Sequence, residues 1–296
     1  MEVIGRDGTW TFDGEVLRVV PGRDRGVHKL RKALGELVVP LEAVAGMAFE
    51  PGRKGGRLRL RLRPAADPFS QAVAGGLADS AADPYRLTID AGRTGVAEYL
   101  VDEVRNARLL EQVPDRPCDR YLMPGPPVPV SASAGDGTAS FDGERVRLEF
   151  NWMANSKKEE AGPQLFELAD IAGVEWAPQS GMGYGCLRFR LRSGDSRLTA
   201  EEDPQCLAWG IQKEGGLTAL VAAAVVARLP HPAAPAVEAA AIETAAPSPE
   251  PAQGETPGDD HDTLLRRLRE LGALHKDGIL DDEEFATAKQ ALLRRF

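Results

Sequence analysis

Asp7-Gly8-Thr9-Trp10-Thr11-Phe12-Asp13-Gly14-Glu15-Val16-Leu17-Arg18 returns 129 residues later as Asp136-Gly137-Thr138-Ala139-Ser140-Phe141-Asp142-Gly143-Glu144-Arg145-Val146-Arg147, with eight of the twelve residues identical. A match of this length at a single offset is one module written twice. In the first copy Thr9 to Phe12 alternates apolar and polar residues, Asp-Gly follows, and a second strand begins. That is the pattern of two antiparallel strands joined by a tight turn, because glycine accepts positive φ without a Cβ clash.

Working outward, Glu15 to Val20 is the second strand, and Pro21-Gly22 ends it. Arg23 to Gly35 carries Arg23, Arg25, His28, Lys29, Arg31 and Lys32, and reads as a loop or a short helical turn. Leu37 to Leu41 and Val44 to Phe49 read as strands on either side of a bend. Arg57-Leu58-Arg59-Leu60-Arg61-Leu62-Arg63 alternates without error, so a strand places its leucines on one side and its arginines on the other. Pro64 to Pro84 is a loop with a short helix around Phe69–Val73, and Tyr85 to Asp90 is a further strand. Gly95 to Leu110 is an amphipathic helix with Val96, Leu100, Val104 and Ala107 on one face.

The second copy keeps this order. Leu165 to Trp176 answers Leu37 to Phe49, Leu187 to Arg192 repeats the leucine and arginine strand, and Leu217 to Leu229 is the closing helix. That helix is apolar nearly all round, which predicts deeper burial than its counterpart, against the other repeat. The expected organisation is a first repeat at 1–112, a stiff proline-rich connector at 113–132, and a second repeat at 133–230. A Pro/Ala-rich stretch at 231–261 follows, with six acidic and no basic residues, and reads as a disordered linker. Its r.m.s. reach would be roughly 30 Å. Residues 262–296 read as helix, turn and helix.

Formal net charge is −9, but residues 1–112 hold 17 basic against 16 acidic groups, so the acidity is local and carries no global argument about a polyanionic partner. Cys118, Cys186 and Cys206 form no C-x-x-C pair and fit neither a disulfide framework nor a zinc knuckle; they are expected as free thiols in a reducing cytosol. No secretion signal is visible in Met1 to Asp7, which agrees with a cytoplasmic location. The longest apolar run, Ala219 to Ala227, is far short of the ~20 residues of a membrane span.

Five or six short strands closed by one helix, twice, resemble a pleckstrin-homology-like barrel, which makes the expected fold class α+β, mainly β. The copies also resemble a tandem actinobacterial family, domain of unknown function 4429. The residues that carry this are Asp-Gly-x-x-x-Phe-Asp-Gly at 7–14 and 136–143, Ala-Gly at 45–46 and 172–173, and the leucine and arginine strand. The tail resembles the short C-terminal (SHOCT) domain, with Leu265-x-x-Leu268-x-x-Leu271, then Lys276 to Phe285, then Lys289-x-x-Leu292. That resemblance implies an oligomerisation or interaction appendage without catalysis. Leu264, Leu268, Leu271, Phe285, Leu292 and Phe296 would form its interaction face. Some 35 residues rarely make a self-sufficient core, so the hairpin should pack on a protein partner or a second copy of itself.

Catalytic and cofactor chemistry finds little support. Setting Gly278 at the sixth position of a calcium loop places Ala273 at the first and His275 at the third, where carboxylates are required. Gly181 to Gly185 leads into a strand, whereas a phosphate-cradling loop must open a helix. The four histidines are scattered, and no nucleophile-base set can be named. No enzyme activity, cofactor or metal is therefore expected. Arg23, Arg25, Lys29, Arg31, Lys32, Arg57, Arg59, Arg61 and Arg63 are the candidate anion-binding residues, against the alternative of a solvated face paired with acids. Leucines rather than aromatics interleave them, which argues against nucleic acid and leaves an anionic lipid surface. The expected function is a cytosolic scaffold or adaptor, with a peripheral membrane binder as the second reading.

Overall fold

Each alternating run becomes a strand with its apolar residues inside. The computed structural model describes residues 1–234, apart from 79, 195 and 211–214. In the first repeat β1 (Glu2–Ile4), β2 (Gly8–Phe12), β3 (Val16–Pro21) and β4 (Leu37–Pro40) form an antiparallel sheet in that order. A second sheet holds β5 (Val44–Gly52), β6 (Gly55–Leu62) and β7 (Arg86–Asp90). The short helix α1 (Lys29–Leu34) joins β3 to β4, α2 (Pro68–Val73) lies between β6 and β7, and α3 (Thr94–Leu110) closes the repeat. Trp10, Phe12, Leu17, Val19, Leu58, Leu60, Leu87 and Ile89 are buried between these elements. Alternation with period two sends them to one face of each strand.

The second repeat is built alike. β8 (Val130–Ala134), β9 (Gly137–Phe141), β10 (Arg145–Phe150) and β11 (Gln164–Glu167) make its four-stranded sheet. β12 (Ile171–Ala177), β13 (Gly185–Leu191) and β14 (Cys206–Trp209) make its three-stranded one, with α4 (Ser156–Ala161) and α5 (Thr218–Val226) in the places of α1 and α3. Among the described residues the architecture is thus four sheets with few helices, an α+β fold that is mainly β.

The twice-written motif is a hairpin device. Phe12 pairs with Leu17 and Phe141 with Val146 at the hairpin ends. The Asp13 carboxylate accepts hydrogen bonds from the Glu15 and Val16 amides at 3.0 and 2.7 Å, and Asp142 accepts from those of Glu144 and Arg145 at 2.8 and 2.7 Å. Gly14 and Gly143 follow at φ of +106° and +117°, where a Cβ is strained. Those amides hold both carboxyls below the usual carboxylate range.

Two helix faces differ in an instructive way. Along α3 the buried residues are Ala97, Leu100, Val101 and Val104, while Val96 is 44% exposed. The packed stripe is therefore centred one residue further round than the spacing of Val96, Leu100 and Val104 implies, because the helix lies on β5. In α5 every residue but Leu220 is buried, in agreement with its all-round apolar character. It packs on β8, β9 and β12 of its own repeat and on α2 of the other. Burying each valine contributes about 1.5–3 kcal/mol, so this helix joins the repeats into one compact unit. Gly125 passes so close to α5 that a Cβ there would overlap that of Ala227.

The proline-rich connector is folded onto the first repeat. Cys118 and Met123 are buried. The Cys118 amide donates to the Pro64 carbonyl at 2.9 Å and the Leu122 amide to that of Ala66 at 2.8 Å. Proline stiffens the segment, but its apolar side chains still gain by leaving water. The second repeat begins at Val130, inside the stretch expected as connector. At the other end His231, expected in the linker, sets Nε2 2.9 Å from the Ala65 carbonyl oxygen and meets Tyr121 edge-on. Residues 235–261 of that linker and the helical hairpin expected at 262–296 lie outside the described residues. No helix among the described residues is long and apolar enough to cross a membrane.

Candidate anion-binding face

The first module residue of each repeat pairs with a buried cation. Asp7 Oδ2 is 2.7 Å from Arg31 Nη1, and Asp7 Oδ1 accepts a hydrogen bond from the Thr88 amide at 2.8 Å. In the second repeat Asp136 Oδ2 is 2.6 Å from Lys158 Nζ, and Asp136 Oδ1 accepts from the Ala208 amide at 2.9 Å. The aspartate thus ties the four-stranded sheet to the last strand of the three-stranded one, and to α1 or α4. Burial pushes the Asp136 carboxyl up, against the opposing pull of Lys158 and the Ala208 amide.

This geometry removes two residues from the nine nominated for anion binding. Arg31 is buried in its pair with Asp7. Arg63 is buried as well: it donates to the Arg116 carbonyl at 3.0 and 2.8 Å and to the Glu42 carbonyl at 2.9 Å, holding the connector in place. A guanidinium with several donors can satisfy carbonyls that a turning backbone would otherwise leave without partners. Alternation along β6 foretold the solvent side for Arg57, Arg59 and Arg61, but Arg63 lies past the strand end, where that period no longer applies.

The seven others are at the surface and do not converge. Arg23 and Arg25 are exposed on the loop after β3, and Lys29 and Lys32 on α1. Arg59 is half-buried, 3.5 Å from Glu50. Arg61 borders an apolar cavity of about 410 Å³ beside α2, with Leu60, Phe69 and Tyr85. At the opposite end of β6, Arg57 lines a concavity of about 280 Å³ together with Arg6, Lys54, Glu50 and the backbone of Gly52, Gly55 and Gly56. Arg6 and Lys54 escaped the sequence reading, because one precedes the module and the other sits in a glycine turn. Strand register also brings Arg86 opposite Arg59. Asp83, pushed up by burial, faces Arg86 and Arg59, which oppose that shift.

The matching face of the second repeat is neutralised. Arg188 lies 2.9 Å from Asp203 and 3.6 Å from Glu175, and Lys157 3.1 Å from Glu202. Its loops are apolar where those of the first are basic: Trp152 stands at the repeat position of Arg23 and Met182 at that of Arg53, 86% and 95% exposed. Among the described residues no group of three or more His, Cys, Asp or Glu is placed to hold a metal ion.

Two known sequence families match this chain. The family described as Domain of unknown function (DUF4429) matches residues 10–105 and 139–226. The Short C-terminal domain (SHOCT) matches residues 266–293, outside the described residues. No curated protein matches the chain. With both structural repeats covered, the chain belongs to the DUF4429 family, carrying two copies of that domain followed by a short C-terminal domain.

Proposed function

We propose that this protein is a non-catalytic scaffold or adaptor. Two pleckstrin-homology-like modules form a fused recognition body, and the short C-terminal domain at 262–296 binds a protein partner or a second copy of the chain. One observation carries the reading. A charged pair with a buried cation recurs in both repeats, Asp7 with Arg31 and Asp136 with Lys158, and ties the sheets together, while the solvent-facing loops differ between repeats. A duplicated frame with divergent loops is what two recognition surfaces on one body require.

The test is the oligomeric state of the full chain by analytical ultracentrifugation across a concentration series. Self-association through the tail predicts that Leu268→Glu with Phe285→Glu shifts the distribution to monomer without changing the far-ultraviolet spectrum. Identical distributions for the two proteins would remove self-association through that face.

The second reading is peripheral binding of anionic lipid by the first repeat. Its support is the concavity lined by Arg6, Lys54 and Arg57, whose matching positions in the second repeat are Gly135, Gly183 and Cys186.

A further inference from the structure

Cys186 and Cys206 lie on the same face of adjacent strands. In the ladder of β13 with β14, Cys186 is opposite Ala208 and Arg188 is opposite Cys206, so the two cysteines are diagonal neighbours. Both are buried, as reduced thiols. Cys206 Sγ is also 3.3 Å from the Leu207 carbonyl oxygen, an acceptor for its proton. Arg188, between them in the ladder, brings a guanidinium to the same cluster. In the first repeat the same two register positions are Arg57 and Arg86. Both positions therefore differ together, and the outcome in the second repeat is a thiol pair rather than two isolated cysteines.

We propose that Cys186 and Cys206 are a redox-active dithiol that closes reversibly to a disulfide on reaction with a hydroperoxide. The two thiols are inequivalent in the way such a reaction needs. Cys186 retains 7% exposure and Cys206 none, so a water-sized oxidant meets Cys186 first. The neighbouring Cys206 thiol holds the Cys186 thiol below the usual range, whereas Cys186 and burial push Cys206 up. The Cys186 thiolate attacks the terminal hydroxyl oxygen of the hydroperoxide, the O–O bond breaks to leave a sulfenic acid on Cys186, and alkoxide (hydroxide from hydrogen peroxide) leaves to take up the proton that Cys186 released. The Cys206 sulfur then attacks the sulfenic sulfur of Cys186. The S–O bond breaks, and the Cys206 proton departs with the hydroxyl group as water. Two thiols and one hydroperoxide thus give one disulfide, one water and one alcohol, or two waters from hydrogen peroxide. Diagonal cross-strand neighbours are separated by about 7–8 Å between Cα atoms, beyond the ~4.4–6.8 Å that a disulfide ordinarily spans without backbone movement. Closure therefore requires a small shear of β14 along β13, and the strained bridge is readily reduced again.

The test treats the folded full chain with hydrogen peroxide, then denatures and alkylates it for intact-mass and peptide analysis. The expected result is loss of two hydrogens in mass, one alkylatable thiol left of the three, at Cys118, and a peptide joining 186 to 206, all reversed by dithiothreitol. Cys206→Ser should leave a sulfenic acid at Cys186 that dimedone traps, and Cys186→Ser should leave no adduct at Cys206. Three alkylatable thiols after treatment, over-oxidation of Cys186 in the wild type without a bridge, or a bridge involving Cys118 would each overturn the proposal. The wild-type measurement decides even where a serine variant fails to fold.

Discussion

Lys158 Nζ lies 2.6 Å from Asp136 Oδ2 with the lysine fully withdrawn from water. The same ammonium donates to the Ala200 carbonyl at 2.7 Å. Removing one member of such a pair leaves the other charge buried without its counterion, which costs about 3–5 kcal/mol. Asp136→Ala should therefore lose about that much stability in urea unfolding, and combining it with Lys158→Met should recover part of the loss. Strictly additive losses would show that the two side chains are not coupled.

Four carboxyls should titrate in a set order. Backbone amides hold Asp13 and Asp142 low, and burial holds Asp83 and Asp136 high. For the first two the folded chain binds its proton less readily than the unfolded chain. Their stabilisation is present above the ordinary carboxylate value and is lost as pH falls through the folded midpoints. For the second two the sign is opposite: their contribution is present below the ordinary value and is lost as pH rises through the raised midpoints. Carboxyl carbon NMR titration should find Asp13 and Asp142 titrating below Asp83 and Asp136, and the reverse order would refute the assignment.

The two repeats should unfold together. The described residues form one compact unit in which α5 packs between its own sheets and α2 of the first repeat. Gly125→Val forces a side chain into the backbone approach to Ala227, an overpacking that costs about 1–3 kcal/mol. Hydrogen exchange should show that cost in the core strands of both repeats at once. Protection lost from one repeat alone would mean that each half is stable by itself.

If the first repeat binds anionic lipid, the concavity at Arg57 should govern it. Each basic group near such a surface contributes about 1 kcal/mol, or roughly fivefold in affinity. Lys54→Ala with Arg57→Ala should then weaken co-sedimentation with phosphatidylserine vesicles by about 25-fold at low salt. Arg23→Ala, on a separate loop, should weaken it by about fivefold at most. Equal pelleting of wild type and double variant would exclude this face.

Arg63→Met tests the folded connector. It deletes donors to the Arg116 and Glu42 carbonyls, and buried acceptors left without partners cost about 1–3 kcal/mol. Faster proteolysis within 113–129 should accompany the loss. Unchanged cleavage there would show that the apolar contacts of Cys118 and Met123 suffice.

The sequence by itself determined the duplication, the hairpin at each Asp-Gly, the inward leucines of β6 and the apolar closing helix of the second repeat. All of these follow from spacing along the chain, because period two and glycine's access to positive φ are local properties. Only the tertiary structure decided that Arg31 and Arg63 are buried, that Arg6 and Lys54 join Arg57, and that Cys186 meets Cys206. Those facts depend on strand register and on which segments cross at a strand's end. Register is a relation between residues far apart in sequence, and no pattern within one strand encodes its partner. The same holds for Asp7 and Asp136, whose residue type marks a polar turn locally but whose buried counterion comes from a helix more than twenty residues away.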